Sequence, residues 1–396
     1  MIYLDNGATS SVKTSAYEEM LPYFTEYYGN PSGIYNLSEK SAKAMENSRE
    51  HLASLIGADR DEIYFTSGGT EADNWAIKST AEMLGDKGRH IITTKIEHKA
   101  VLNSCKYLET KGYTVTYLDV DEYGMVRLDK LKAAIRKDTI LISVMMGNNE
   151  IGTIQPIEEI GRIARRHNIL FHTDAVQACG HIPIDVKNAH IDMLSASGHK
   201  FGGPKGIGFL YIRKGINLPS FIHGGGQESY KRAGTENVPA IVAIGMAAKE
   251  HKANMGSNVK YVINLREYAI NRVLREIPYV RLNGHRLRRL PGNMSFSFQF
   301  VNGEAVQVEL DMKGICISTG SACSAKETTP SYVLMSTGLN EELAYGTVRM
   351  TINEKNTKAE IDKVVEELKT IVFKQRQMST EYKEMINPYI RYARRR

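Results

Sequence analysis

The sequence predicts an α/β fold in which a large domain on a mainly parallel sheet is joined to a smaller α+β domain. Three observations predict it. Short apolar runs alternate with helical patterns up to about residue 240, the signature of strands separated by covering helices. Beyond that point the pattern changes to long helical stretches and a few well-separated strands. The length of 396 residues also exceeds what one hydrophobic core usually supports.

Taken in order, the candidate strands of the large domain are EIYFT (62–66), HIITT (90–94), TVTYL (114–118), TILISVM (139–145), ILFH (169–172), DMLSA (192–196) and IGFLYI (207–212). Between the first two, Ala72, Ala76, Thr80, Met83 and Leu84 share one helical face. Further helical segments fit 99–111, 128–136 and 156–167. A sheet of this kind is covered on both faces and binds ligands beyond the carboxyl ends of its strands. Later come helices near 238–254 and 258–276, the strand MSFSFQF (294–300), a helix at 304–312 and the strand TVRMTI (347–352). A closing helix carries Ile361, Val364, Val365, Leu368, Ile371 and Val372 on one face. The large domain is therefore expected over 15–254 and the small domain over 1–14 with 255–376. The stretch 377–396 is expected to be a tail, and its basic end, YIRYARRR, reads as solvated.

Composition narrows the function. With 42% apolar and 24% charged residues, the chain has the make-up of an ordinary globular protein. The net charge of +6, from 51 basic and 45 acidic residues, is mild and spread along the chain, so direct nucleic-acid binding is not expected. No basic-then-apolar leader and no run approaching 18 apolar residues is present, which points away from the membrane and towards the cytoplasm. Cys105, Cys179, Cys316 and Cys323 form no C-x-x-C pair. Neither a metal site nor a disulfide framework is expected from that spacing.

The informative stretches fall near strand ends. TSGGTEADN (66–74) is a glycine turn opening a helix. Such a turn suits a phosphate, although it is also a common connector. FGGPKG (201–206) lacks the phosphate-loop spacing and reads as a tight turn. FHTDAVQACG (171–180) sets Asp174 and Gln177 beyond a buried strand, where the carboxylate could cap a helix or meet a protonated ring nitrogen. SASGHKFGG (195–203) sets Ser197, His199 and Lys200 beyond the next. A lysine there is costly unless paired or covalently used. A phosphate turn, an aspartate and a Schiff-base lysine in this order are what pyridoxal phosphate requires. STGSACSAK (318–326) places Cys323 among small polar residues, unlike the buried surroundings of most free cysteines. Thr329 and Pro330 read as the cap and first residue of a following helix.

In these motifs the sequence resembles the cysteine desulfurases of the NifS/IscS type, which are class-V aminotransferase-like members of the fold-type-I (aspartate-aminotransferase-like) pyridoxal-phosphate-dependent transferases. The resemblance runs from YLDNGAT through GNPS, TSGGTEADN, EHKAV, NNEIGTIQP, HTDAVQ, SGHKFGGPKG, GGGQE, RAGTEN and LPGN to STGSACS. It implies that Lys200 holds the cofactor and that Asp174 keeps its ring nitrogen protonated. His98 would stack on the ring and shuttle protons. Gln177 and Asn149 would lie near the phenolic oxygen, and Gly69, Thr70, Ser197 and His199 at the phosphate. Thr235 would complete the phosphate site of a neighbouring subunit, so a homodimer is implied. Arg349 would grip the carboxylate of the substrate, L-cysteine. Cys323 would take the sulfur as a persulfide, releasing L-alanine, and pass it to a protein acceptor or scaffold. Only about 3% of an ordinary thiol is ionised at pH 7, so Cys323 would need activation by His98 or a positive neighbour. Iron–sulfur cluster assembly, tRNA thiolation and DNA phosphorothioation are the destinations the resemblance allows. Gly33, Tyr35, Ser229 and Asn353 depart from the family pattern and bear on acceptor docking and the entrance. A selenocysteine lyase or related aminotransferase is the alternative within enzymes. An idle sulfur-transfer scaffold or a nucleic-acid-binding protein is the alternative outside them.

Overall fold

The structure, a computed structural model of the chain, describes residues 1–319 and 330–387. Cys323 and Thr329 thus lie outside the described residues, as do 388–396. The first part of the chain runs β1 (Ile2–Tyr3), α1 (Thr14–Met20), α2 (Pro22–Thr25), α3 (Asn36–Ile56), β2 (Ile63–Thr66), α4 (Gly69–Leu84), β3 (His90–Thr94), α5 (Lys99–Glu109) and β4 (Thr114–Leu118). It continues α6 (Leu128–Ala134), β5 (Thr139–Ser143), α7 (Ile157–Arg166), β6 (Leu170–Asp174), β7 (Met193–Ser197), β8 (Gly208–Ile212) and the single turn α8 (Gln227–Tyr230). Then follow α9 (Val238–Glu276), β9 (Val280–Leu282), β10 (Asn293–Phe298), α10 (Gly303–Asp311), β11 (Ile315–Cys316) and β12 (Ser318–Thr319). The described chain closes with α11 (Tyr332–Ser336), α12 (Glu341–Tyr345), β13 (Thr347–Thr351), α13 (Lys358–Met378) and α14 (Thr380–Ile386).

Seven strands form the larger sheet in the order β2-β8-β7-β6-β5-β3-β4. All neighbours are parallel except those of β8, which runs antiparallel to both β2 and β7. The near-continuous apolar runs of these strands are what a sheet covered on both faces demands. Phe209 faces the cluster containing Phe171 and Ile244, while Leu210 next to it faces the cluster containing Trp75 and Ile91. Burying each such side chain contributes about 1.5–3 kcal/mol.

A second, antiparallel sheet has the order β12-β13-β10-β9. Its core gathers Phe296, Phe298, Val348 and Leu368, and Ile2 and Leu4 belong to the same cluster. β1 pairs with β11, Ile2 opposite Ile315.

Three expectations need correcting. The two helices expected at 238–254 and 258–276 are one helix of 39 residues. Its Ile241 and Ile244 pack on the first core and its Val262 and Ile270 on the second. The weak helix formers around Gly256 cost about 1 kcal/mol for a glycine, and burial at both ends outweighs that. The helix expected to start at Thr329 and Pro330 is instead capped by Ser331, whose side chain accepts from Val333 and Leu334 N–H. In the stretch expected as tail, α13 reaches Met378 and Tyr382 of α14 packs against Tyr279 and Phe300. The 21-residue α3 went unpredicted because its first half is polar, although Met45, Leu52, Leu55 and Ile56 mark its buried face. No described helix is long and apolar enough to cross a membrane.

Candidate active site

A cavity of about 380 Å³ opens at the carboxyl ends of the parallel strands. Asp174 ends β6, Ser197 ends β7, and His199 and Lys200 follow in the next turn; all four line it. Gly69 and Thr70 enter from the start of α4, and His98 from the cap of α5. Asn149 and Gln177 stand on loops at the same level, and Arg349 reaches in from β13 of the other sheet. Thr235 is exposed and lies outside this cavity.

The turn before α4 explains its glycines. Gly68 has φ +151° and ψ −177°, backbone that side-chain-bearing residues avoid. Glycine at 208 lets β8 approach this turn, since a Cβ there would lie 2.7 Å from the Gly68 Cα. The chain thereby aims the first-turn N–H groups of α4, and its dipole, at the cavity. His199 sits beside them with Nδ1 3.2 Å from Thr9 Oγ1. Burial, then Lys200 and Lys205, push its imidazole down to about 4, so it is neutral at pH 7.

The floor is acidic. Asp174 accepts from Val176 N–H at 2.9 Å, the cap-like bond its position suggested. Burial pushes its carboxyl up, while His98, that N–H and Lys200 favour the charged form. Beside it lies Asp73, 1% exposed, whose Oδ1 has no hydrogen-bond partner. Burial and the nearness of Asp174 hold the Asp73 carboxyl well above its ordinary range. Two carboxyls this close do not both ionise readily. His172 brings no charge to them; burial lowers it to about 3, and it bridges Ser143 at 2.8 Å and Ser195 at 2.9 Å. Asp73 escaped the sequence reading although it stands in TSGGTEADN, because nothing local sets it apart from a helix-surface aspartate.

Donor atoms of Asp73, His98 and Asp174 lie within 4.8 Å of one another. A metal ion suits them poorly, since Nδ1 of His98 already accepts from Ala100 N–H at 3.2 Å and the neutral ring then carries its proton on Nε2. A protonated heteroaromatic ring meets the same acidic floor without needing that lone pair. With a helix start for a phosphate, an amine for a carbonyl and a volume within the usual range for a cofactor pocket, the residues fit pyridoxal phosphate.

Lys200 Nζ donates to the carbonyls of Gly7 at 2.7 Å and Ala8 at 2.8 Å. Gln177 Nε2 donates to the same Gly7 carbonyl at 2.9 Å. Across the cavity Arg349 is 3% exposed, its Nη2 2.9 Å from Asp5 Oδ1 and its Nη1 3.1 Å from the Asn149 carbonyl. Its Nε is buried without a partner, leaving one edge of a planar fork suited to a carboxylate. Next to it Glu150 accepts from Ser331 Oγ, and burial pushes its carboxyl up to about 7.

The departures from the family pattern have places too. Tyr35 is exposed, and Gly33 packs against it. Ser229 lies between Glu228 and Tyr230 in a run of three positive-φ residues. Glu228 is held there by a two-pronged pair with Arg49, both bonds 2.9 Å. Asn353 Nδ2 donates to Asn6 Oδ1 at 2.9 Å.

Fold and cavity together define an enzyme of the pyridoxal-phosphate class. The chain belongs to the aminotransferase class-V family, whose pattern matches residues 2–364. Within that family it stands with the NifS/IscS type. It is 51% identical over 378 residues to the cysteine desulfurase IscS of Methanosarcina thermophila, covering 96% of this chain and 93% of that protein. A solved NifS-like protein matches with a TM-score of 0.88 at 38% identity, covering 94% of this chain and 99% of the other. A structure of SspA in complex with cysteine matches with a TM-score of 0.79, also at 38% identity, covering 90% and 100%.

Proposed function

We propose that this chain is a cysteine desulfurase that takes sulfur from L-cysteine, releases L-alanine and keeps the sulfur as a persulfide on Cys323 for transfer to an acceptor. The observation that carries the reading is a single cavity in which Lys200 and Asp174 of one sheet face Arg349 of the other, in a chain half identical to IscS proteins.

When bound, pyridoxal phosphate supplies an electron sink for the substrate carbon that loses its proton. The side chains do the rest. Lys200 holds the cofactor through its amine and carries the α-proton. Asp174 keeps a proton on the ring nitrogen, a charge-assisted bond worth roughly 1.5–3 kcal/mol. His98 would lie against the ring and would move protons at Nε2, its Nδ1 being engaged by Ala100. Gly69, Thr70, Ser197 and His199 take the phosphate, and Asn149 and Gln177 attend the ring oxygen. Arg349 orients the substrate carboxylate. Thr235, exposed and away from its own cavity, fits a role at the phosphate of a partner in a homodimer. The large domain is read as 15–254 and the small one as 1–14 with 255–376. The enzyme is read as cytoplasmic, with a protein sulfur acceptor or scaffold; of the possible destinations, iron–sulfur assembly follows the IscS relatives.

The test uses the holoenzyme. After brief reaction with labelled cysteine, mass spectrometry should find one added sulfur on the Cys323 peptide. Cys323→Ser should still bind cysteine and change the visible spectrum, yet release no sulfide. Added sulfur on Cys316, or sulfide at the normal rate from that variant, overturns the reading.

A further inference from the structure

Residues 5–13 form a strap across the molecule. Asp5 pairs with Arg349, and Asn6 Nδ2 donates to the Thr351 carbonyl at 2.9 Å. The Gly7 and Ala8 carbonyls take the Lys200 amine. Ser10 N–H donates to the His199 carbonyl at 2.8 Å, and Gly202 N–H donates to Ser10 Oγ at 2.9 Å. One short segment therefore touches both the arginine and the lysine of the cavity.

Its far end is fixed by Lys13. This lysine is only 6% exposed. Its Nζ lies 2.9 Å from Glu250 Oε1 and 2.7 Å from Glu354 Oε1. Glu250 belongs to α9, whose neighbouring Ala247 and Ala248 pack in the first core. Glu354 follows β13, the strand of Arg349 in the second sheet. Lys13 N–H also donates to the Gly202 carbonyl at 2.9 Å, two residues past Lys200. Its stem crosses Gly202, where an added Cβ would lie 2.7 Å from the Lys13 Cγ and φ is +86°. Ser15 Oγ completes the set with a 2.6 Å bond to Glu250 Oε2.

We propose that Lys13 is a positioning residue: by sharing its ammonium between Glu250 and Glu354 while bracing the turn after Lys200, it sets the spacing between Lys200 and Arg349, and so how well the substrate carboxylate reaches its arginine. The inference rests on the reading that Lys200 and Arg349 mark the two ends of the bound substrate. Charge supports the geometry. Burial opposes the ammonium, but the bonds from Glu250 and Glu354 outweigh it and hold Lys13 above its ordinary value. Burial opposes the Glu354 carboxylate as well, yet the Lys13 bond holds it down at about 2. Removing the lysine leaves two partly exposed carboxylates facing each other across the joint without their shared cation, and their repulsion loosens it.

The experiment compares Lys13→Met, Lys13→Arg and Glu354→Gln holoenzymes with the unaltered protein. Lys13→Met should raise the KM for L-cysteine about tenfold, below the roughly 100-fold that a full 1 Å misplacement can cost. The Kd for L-alanine, read from the visible spectrum, should rise in parallel, because it carries the same carboxylate. The kcat should change less than threefold and the cofactor spectrum should stay as it is. Lys13→Arg should restore most of the affinity. Glu354→Gln, which keeps the Lys13–Glu250 pair, should shift KM in the same direction by less, and it decides the matter if Lys13→Met fails to fold. Unchanged KM in folded variants overturns the inference. So does a joint fall of kcat, affinity and cofactor binding, which a merely structural role would give. Arg349→Ala separates the layers: if it too leaves KM unchanged, the underlying reading fails, and if it alone raises KM, only the role of Lys13 fails.

Discussion

The two walls of the cavity are built by different means. The Lys200 wall comes from the carboxyl ends of strands in one mainly parallel sheet: Asp174 and Ser197 end their strands, and His199 and Lys200 follow within three residues. The Arg349 wall exists only where distant stretches meet: Arg349 stands opposite Ser295 and Ser318 in the second sheet and bonds to Asp5 at the chain's start. The first wall is placed by local geometry, with the Lys200 amine also held by the Gly7 and Ala8 carbonyls. The second depends on how the two cores sit together. On the proposed reading, chemistry that admits no slack falls on the local wall, and recognition on the assembled one.

Breaking the local wall should have the largest effect. Lys200→Ala should lose the visible absorption of the lysine-bound cofactor and all alanine formation, as absorbance and product assays would show. A borohydride-fixed adduct persisting in that variant would move the role to another lysine. Breaking the assembled wall should be graded. Truncating one partner of a buried charge pair costs about 2–5 kcal/mol, so Arg349→Ala should lower kcat/KM roughly 30-fold or more with the cofactor spectrum intact. A change below threefold would place the carboxylate elsewhere.

The smallest effect tests the seam. Glu150, beside Arg349 and bonded to Ser331, has its carboxyl pushed from an ordinary 4.5 to about 7, chiefly by burial. A carboxyl raised on folding binds more protons folded than unfolded. Its contribution is therefore full below 4.5 and lost as pH rises towards 7. Glu150→Gln should remove that loss, so between pH 4.5 and 7.5 the variant should gain about 1–2 kcal/mol relative to the unaltered protein, after discounting for partial exposure. Urea midpoints at several pH values measure it, and parallel curves would place Glu150 in more open surroundings.

The same contrast explains what could be read from the sequence. β3 and β4 match the expected 90–94 and 114–118, because unbroken β-branched runs between glycine and polar turns leave little choice. Asp174, Ser197 and Lys200 were legible because strand ends are where such sheets bind ligands. Asp5, Asp73, Glu150 and Lys13 carried no local mark. Asp5 and Lys13 matter through partners more than 230 residues away, and Asp73 through a carboxyl on another element. The joining of two expected helices into α9 likewise depended on two separate cores that only the folded chain brings to its ends.

The pairing of β1 with β11 has a consequence for synthesis. Ile2 finds its partner at Ile315, and Asp5 finds Arg349. At roughly 5–20 residues per second, a ribosome needs about 20–70 s to deliver those partners after the strap has emerged. During that interval the parallel sheet can assemble while the segment that will cradle Lys200 still lacks its anchor in the second sheet. A nascent chain would thus acquire its cofactor pocket late, after the strand bearing Arg349 has left the exit tunnel.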